Sequence, residues 1–204
     1  MPITDQVIEA VVLDLNKLLV TDRSLHIAIN LSAEDIKTGR FLAVMTAALE
    51  HTGIHPQQIW LEATERGLMD IELARATIDR ARQLGYAVAI DDFGTGYSSL
   101  QYLEGLPMDA LKIDTSFVET IGQETATSSV TPHIIDMAKT LKLRIVAEGI
   151  ETEAQAEYLR ARNVEFGQGW LFSKALPAVD FVAFHRRNRE QIDRSPSPEN
   201  RQIR

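Results

Sequence analysis

The 204-residue sequence contains no cysteine, which excludes a disulfide framework and any thiolate metal site. No apolar run approaches the roughly 20 residues needed to span a bilayer, and the first residues lack the form of a secretory signal. Histidine is scarce: His26, His51, His55, His133 and His185 stand at no ligand spacing, so solvated or partly buried structural roles are expected for each. Base is outnumbered by acid, 21 Lys and Arg against 29 Asp and Glu, for a net charge of −8. That balance argues against a surface that tracks long nucleic acid, although bound cations can invert the sign of a small phosphate site. No serine has a His–Asp arrangement suited to a nucleophile, and Gly94 and Gly96 do not complete a dinucleotide-binding glycine pattern. Trp60 and Trp170 adjoin apolar runs and are assigned to the core, and His185-Arg186-Arg187 to a solvated helix face.

What is present is an alternation of two periods. Apolar residues recur at helical spacing over Val7 to Leu19, Phe41 to His51, Ile71 to Leu84, Ile134 to Leu141, Glu153 to Arg162 and Val179 to Arg187. Between them lie short apolar runs: Leu25 to Ile29, Ile59 to Ala63, Tyr86 to Ile90, Ala110 to Ile113, Leu143 to Ala147 and a weaker Val164 to Phe166. Strands that are apolar throughout and separated by helices predict a parallel sheet covered on both faces. The count alone favours an open sheet, because a closed barrel of this type needs eight strands and about 250 residues. The polar stretch from Asn188 to Arg204, with two Ser-Pro steps, is expected to be a disordered tail, leaving residues 1–187 as the folded domain.

The residues at the strand ends tip the choice toward a barrel. Asn30 ends the first run, Glu62 lies near the end of the second, and Asp91-Asp92 end the third. Lys112 and Asp114 flank the end of the fourth, Glu148 ends the fifth and Gln168 follows the sixth. Ligands of parallel α/β folds bind at the carboxyl ends of strands, so one mouth would receive an amide, several carboxylates and a lysine. Any single Asp there is explained as a helix cap. The set is not, since Glu, Lys and an Asn followed by Leu-Ser are poor general solutions to capping. Clustered carboxylates repel unless positive charge lies among them. Oxygen donors without Cys, or His at strand ends, suit Mg²⁺ or Mn²⁺, and a two-cation site favours in-line attack on a phosphodiester. Lys112 would orient the attacking water or stabilise phosphoryl charge, the alternative being a plain salt bridge to a nearby carboxylate.

Together these segments resemble the EAL family of cyclic di-GMP phosphodiesterases. The resemblance rests on AINLSAE (Ala28 to Glu34), WLEATE (Trp60 to Glu65), AIDDFGTGYSSL (Ala89 to Leu100), LPMDALKID (Leu106 to Asp114), VAEGIET (Val146 to Thr152) and GQGWLF (Gly167 to Phe172). It implies a modified TIM-type α/β barrel and hydrolysis of cyclic di-GMP to linear pGpG on two ions, Mg²⁺ or Mn²⁺. By position it assigns Asn30, Glu62 and Asp91 to a first ion, and Asp91, Asp92 and Glu148 to a second. Lys112 matches the lysine that contacts the catalytic water, and Glu65 the glutamate that steadies the DDFGTG loop. Asp92, Glu151 and Gln168 match polar positions lining the substrate site. A homodimer through the region around the DDFGTG loop is a further implication. The text around these motifs is most similar to EAL domains of membrane-anchored CSS-motif sensors. This implies a cytoplasmic domain, with any membrane anchor in the parent and no membrane contact by this segment.

One departure stands out. No Glu-Ala-Leu strand precedes Asn30, and Ile8-Glu9-Ala10-Val11 echoes that motif only within an expected helix. The barrel is therefore expected to be incomplete, its first two strands missing. The alternative function is a catalytically impaired fragment that acts as a cyclic di-GMP receptor or protein-interaction module.

Overall fold

The computed structural model describes residues 2–94, 103, 105–123 and 129–194. The chain divides into two compact units, Met1–Ala110 and Leu111–Arg204, and in each the strands adjoin in chain order.

The first unit opens with helix α1 (Ile3–Thr21), which buries Ile8 and Leu19, and continues into strand β1 (Ile27–Leu31). Helix α2 (Ala33–Thr38) begins with a reciprocal capping box between Ser32 and Asp35 and ends at Gly39, whose left-handed φ of 60° starts helix α3 (Arg40–Leu49). Strand β2 (Ile59–Thr64), helix α4 (Ile71–Gln83) and strand β3 (Ala87–Phe93) complete the pattern. The strands pair in parallel, Ile29 opposite Leu61 and Leu61 opposite Val88. Leu61 and Val88 are buried to 0% and 1% exposure, as expected for sheet residues covered by helices. On β1 the alternation is half exposed: Ile29 and Leu31 are buried, while Ala28 and Asn30 face outward.

Polar groups lock the ends of these elements. Buried Gln58 donates its amide to the carbonyls of Leu19, Asp22 and Leu25 at 2.9–3.0 Å, satisfying one of the last carbonyls of α1 and two in the loop after it. His26 stacks on Trp60 with ring centroids 4.1 Å apart, so Trp60 is core, as the sequence suggests. Asp109 clasps β3 at both Val88 backbone groups, accepting from its N–H at 2.9 Å and donating its own N–H to its carbonyl at 2.8 Å.

The second unit takes up strand β4 (Ala110–Ile113) at Leu111. Then come helix α5 (Thr115–Val118), helix α6 (Val130–Thr140), strand β5 (Arg144–Ala147), helix α7 (Glu153–Ala161), strand β6 (Phe166–Gly167) and helix α8 (Ala178–Arg194). Its core is aliphatic: Leu111, Ile113, Ile145, Ala147, Ile150 and Leu159 have no exposed surface. Parallel β5 and β6 pair Val146 with Phe166 and Ala147 with Gly167.

Two expectations are corrected here. Helix α8 continues to Arg194, seven residues past Arg187, so the polar stretch begins as helix rather than as a disordered tail. Its Arg, Glu and Gln residues are good helix formers, which low hydrophobicity had masked. Trp170 is 66% exposed and is not core, because the chain leaves the sheet after Gly167 and carries it into a turn.

Candidate functional site

The register of the first unit decides which side chains share a face. Asn30 lies opposite Glu62, and Glu62 opposite Ala89. Cross-strand partners point the same way and side chains alternate along a strand, so Asp91, two residues beyond Ala89, joins them. Asn30, Glu62 and Asp91 thus occupy one face, with Asp91 about 7 Å farther toward the carboxyl end. Glu62 and Asp91 are 7% and 8% exposed, while Asn30 is exposed. Asp92 has φ 54°, an uncommon left-handed conformation that interrupts the strand's alternation directly after Asp91. Buried Glu65 accepts the Gly94 N–H at 2.9 Å and fixes the chain as it leaves Asp92. Thr95 to Ser99, the rest of the glycine turn, lie outside the described residues.

Upstream of this face is a network that the sequence reading missed. Asp35 Oδ2 accepts from Thr4 Oγ1 at 2.8 Å, Ser32 N–H at 2.9 Å and Ser32 Oγ at 2.6 Å. Burial pushes the Asp35 carboxyl upward, but those hydrogen bonds and the Arg40 charge outweigh it and hold it below its ordinary value. The network pins Ser32, two residues beyond Asn30, and its signal was the Ser-x-x-Asp spacing after the strand.

In the second unit the polar residues touch directly. Lys112 Nζ lies 2.7 Å from Glu148 Oε1, with the lysine side chain 4% exposed and the carboxylate 14%. Gln168 Nε2 donates to the same Oε1 at 2.6 Å. Their places follow from the backbone: Glu148 N–H donates to the Ile113 carbonyl at 3.1 Å, Gln168 N–H to Ala147 at 2.9 Å, and Ile150 N–H to Gln168 at 3.0 Å. Three strand ends are thereby fastened side by side. Such a short pair keeps a buried ammonium compatible with its surroundings. Asp114 is a helix cap, accepting from the Ser116 N–H at 3.0 Å, which is the ordinary use of an aspartate there. Glu148, Glu151 and Gln168 open onto a cavity of about 710 Å³ that Trp170 also lines.

The donor chemistry fits a hard divalent cation. Asn30, Glu62 and Asp91 offer only oxygen as anionic or carbonyl donors, on one face of three adjacent strands.

The EAL domain family profile matches residues 1–175. A probable cyclic di-GMP phosphodiesterase of Escherichia coli K12, PdeB, is 46% identical over 181 residues, covering 89% of this chain and 34% of PdeB. The cyclic di-GMP phosphodiesterase NbdA of Pseudomonas aeruginosa is 40% identical over 184 residues, covering 89% of this chain and 24% of NbdA. The chain therefore spans about a third and a quarter of these curated relatives. Among solved structures, the PaMucR phosphodiesterase in complex with c-di-GMP has a TM-score of 0.80 at 33% identity, covering 87% of this chain and 72% of that one. The cGMP-bound EAL enzyme Bd1971 has a TM-score of 0.84 at 35% identity, covering 91% and 52% respectively. These likenesses bear out the expected fold class, a TIM-like α/β barrel of the EAL type, here incomplete with six strands among the described residues.

Proposed function

Because the chain belongs to the EAL domain family, we propose that it serves in metal-dependent hydrolysis of cyclic di-GMP to linear pGpG. The observation that carries this reading is the direct contact of buried Lys112 with Glu148, and of Glu148 with Gln168, at three strand ends, the residue types that the family motifs lead one to expect there. The names of PdeB and NbdA, and the cyclic di-GMP held by the PaMucR structure, support the choice of substrate.

Asn30, Glu62 and Asp91 would hold a Mg²⁺ or Mn²⁺ ion through oxygen. Two ions are proposed, on the strength of the family resemblance. When bound, they supply Lewis acidity and neutralise charge at the scissile phosphodiester. The chain's own groups do the positioning. Lys112 and Gln168 both engage Glu148 Oε1, which fixes the orientation of that carboxylate. Glu65 anchors the Gly94 amide and so sets the backbone that carries Asp91 and Asp92. Glu151 and Gln168, at the cavity wall, contact substrate. The same reading places the protein in the cytoplasm and pairs two copies through the region around the DDFGTG loop. Among the described residues no helix is long and apolar enough to cross a membrane.

The test is to incubate the chain with cyclic di-GMP and Mg²⁺ or Mn²⁺ and separate the products by chromatography. Release of pGpG that disappears in Asp91→Asn and Glu148→Gln supports the reading. A second reading, binding without turnover, draws on the exposed Ala28–Asn30 face of β1, which leaves one proposed metal donor open to solvent. Saturable binding with no pGpG from wild type would favour that receptor role.

A further inference from the structure

Glu148 is followed by Gly149, whose φ of 69° lies in the left-handed region that glycine enters freely. Taken alone, that describes an ordinary turn. The space beside the residue says more. A β-carbon at Gly149 would run into the Thr115 methyl and lie 2.6 Å from its hydroxyl oxygen and 2.9 Å from its β-carbon. Carbon atoms in good contact stand about 3.5–4.0 Å apart, so Thr115 already fills the room that a side chain would need. Rotating Thr115 moves its methyl and hydroxyl but leaves its β-carbon where the backbone puts it.

The surroundings decide which side yields to a side chain at this position. Thr115 opens α5 and accepts the Glu119 N–H at 2.9 Å. That helix is fastened at both its buried residues: the Phe117 carbonyl accepts the Thr131 hydroxyl at 3.2 Å, and the Val118 carbonyl accepts the Gln155 amide at 3.3 Å. Beyond Gly149, Ile150 has no exposed surface and donates its N–H to the Gln168 carbonyl at 3.0 Å. What is left to move is the Glu148-Gly149 step itself, tied to β4 by one N–H on the Ile113 carbonyl at 3.1 Å. Shifting that step away from Thr115 draws the Glu148 carboxylate off the Lys112 ammonium, which lies 2.7 Å from it.

Resting on the phosphodiesterase reading above, we infer that Thr115 and Gly149 form a size-matched positioning pair that holds the Glu148 carboxylate against Lys112. Neither residue belongs to the proposed hydrolytic set; both act through the backbone of Glu148. A misplacement on the order of 1 Å in such a group costs about 100-fold in rate. The pair therefore governs turnover more than substrate affinity.

The experiment compares wild type, Gly149→Ala, Thr115→Gly and the double variant, following pGpG release from cyclic di-GMP with Mg²⁺ or Mn²⁺. Gly149→Ala is expected to lower kcat by about 100-fold with KM within about three-fold of wild type. Thr115→Gly alone should stay within about three-fold in both constants, and the double variant should recover kcat by about ten-fold or more over Gly149→Ala. Alanine at 149 keeps the left-handed backbone cost in both variants, so only the contact with residue 115 differs between them. A double variant no faster than Gly149→Ala overturns the pair, as does a Gly149→Ala effect confined to KM. If Gly149→Ala fails to fold, recovery of a folded, active protein by Thr115→Gly supports the pair, and failure to recover overturns it. A second readout needs no substrate: the urea-midpoint shift caused by Glu148→Ala should shrink by about half or more when Gly149→Ala is already present, because the contact with Lys112 is then already broken. An undiminished shift overturns the pair while leaving the hydrolytic reading intact. Wild type that shows the midpoint behaviour but releases no pGpG would sink the hydrolytic reading alone.

Discussion

Lys112 and Glu148 meet at 2.7 Å with the lysine side chain 4% exposed, so losing either partner leaves a poorly solvated charge with less compensation. Removing the carboxylate takes an anionic partner from a lysine whose side chain water barely reaches. Breaking a buried pair by losing one partner costs about 3–5 kcal/mol, whereas replacing both with apolar groups is often neutral. Glu148→Ala is therefore expected to lower unfolding stability by about 3 kcal/mol, and Lys112→Met/Glu148→Leu to restore it to within about 1 kcal/mol. Urea melts of wild type, Glu148→Ala and the double variant with a chelator present would measure the recovery. A double variant no more stable than Glu148→Ala would show that the lost ion pair is not the source of the cost.

Glu62 tests the oxygen-donor face of the first unit. It sits opposite Asn30 in the register and is 7% exposed, so Glu62→Gln keeps its size and burial while removing a charge. The fold should survive, with unchanged circular dichroism. Turnover, measured as pGpG released, and Mn²⁺ affinity, measured by calorimetry, should each fall by about 100-fold or more. A Mn²⁺ affinity equal to wild type would remove Glu62 from the metal set.

How much of this was legible beforehand follows from the type of signal. Ala110–Ile113 is a strand with the bounds read from the sequence, because a four-residue stretch apolar but for Lys112 and ended by Asp114 is too short for a helix. The strand-end residues were legible because parallel strands present their carboxyl ends to one side, a topological fact that needs no coordinates. Register was not legible, and it is register that sets Asn30 level with Glu62 and Asp91 two residues higher. Strand β1 begins at Ile27 rather than Leu25, since the Leu25 carbonyl is taken by Gln58, a long-range contact that no local window contains. Trp170 was misread for a related reason: an indole beside a strand is core by base composition, and only the turn at Gly169 turns it outward.

The Asp35 network predicts an acid dependence of stability. The folded state holds this carboxyl below its ordinary value, so the unfolded chain takes up its proton first as pH falls. The stabilisation is then fully present above the unfolded value, about pH 4, and is lost as pH drops through the lower folded value. Asp35→Asn removes the charge and leaves Thr4 and Ser32 competing for a weaker acceptor, at a cost of about 1–3 kcal/mol at pH 7. Denaturant melts from pH 7 to pH 3 should show the gap between the two proteins narrowing at the acid end. A gap independent of pH would mean that packing, not ionisation, carries the effect.

Lys142 supplies the last prediction. It follows helix α6 with φ 58°, a left-handed conformation in which a β-carbon crowds the backbone, and its N–H donates to the Lys139 carbonyl at 3.0 Å. That hydrogen bond closes the helix through the backbone alone, and the side chain is exposed, so nothing visible offsets the conformational cost. Glycine adopts this φ without the clash, though it also gives the unfolded chain more freedom, which works in the other direction. The local strain of a non-glycine residue here is about 1–2 kcal/mol and the entropic loss about 0.5–1 kcal/mol. The strain is the larger, so Lys142→Gly should raise unfolding stability by about 0.5 kcal/mol, and Lys142→Ala, which keeps the β-carbon, should not. Chemical denaturation of the three proteins side by side decides it: a less stable glycine variant would show that the lysine side chain makes a contribution of its own at this turn.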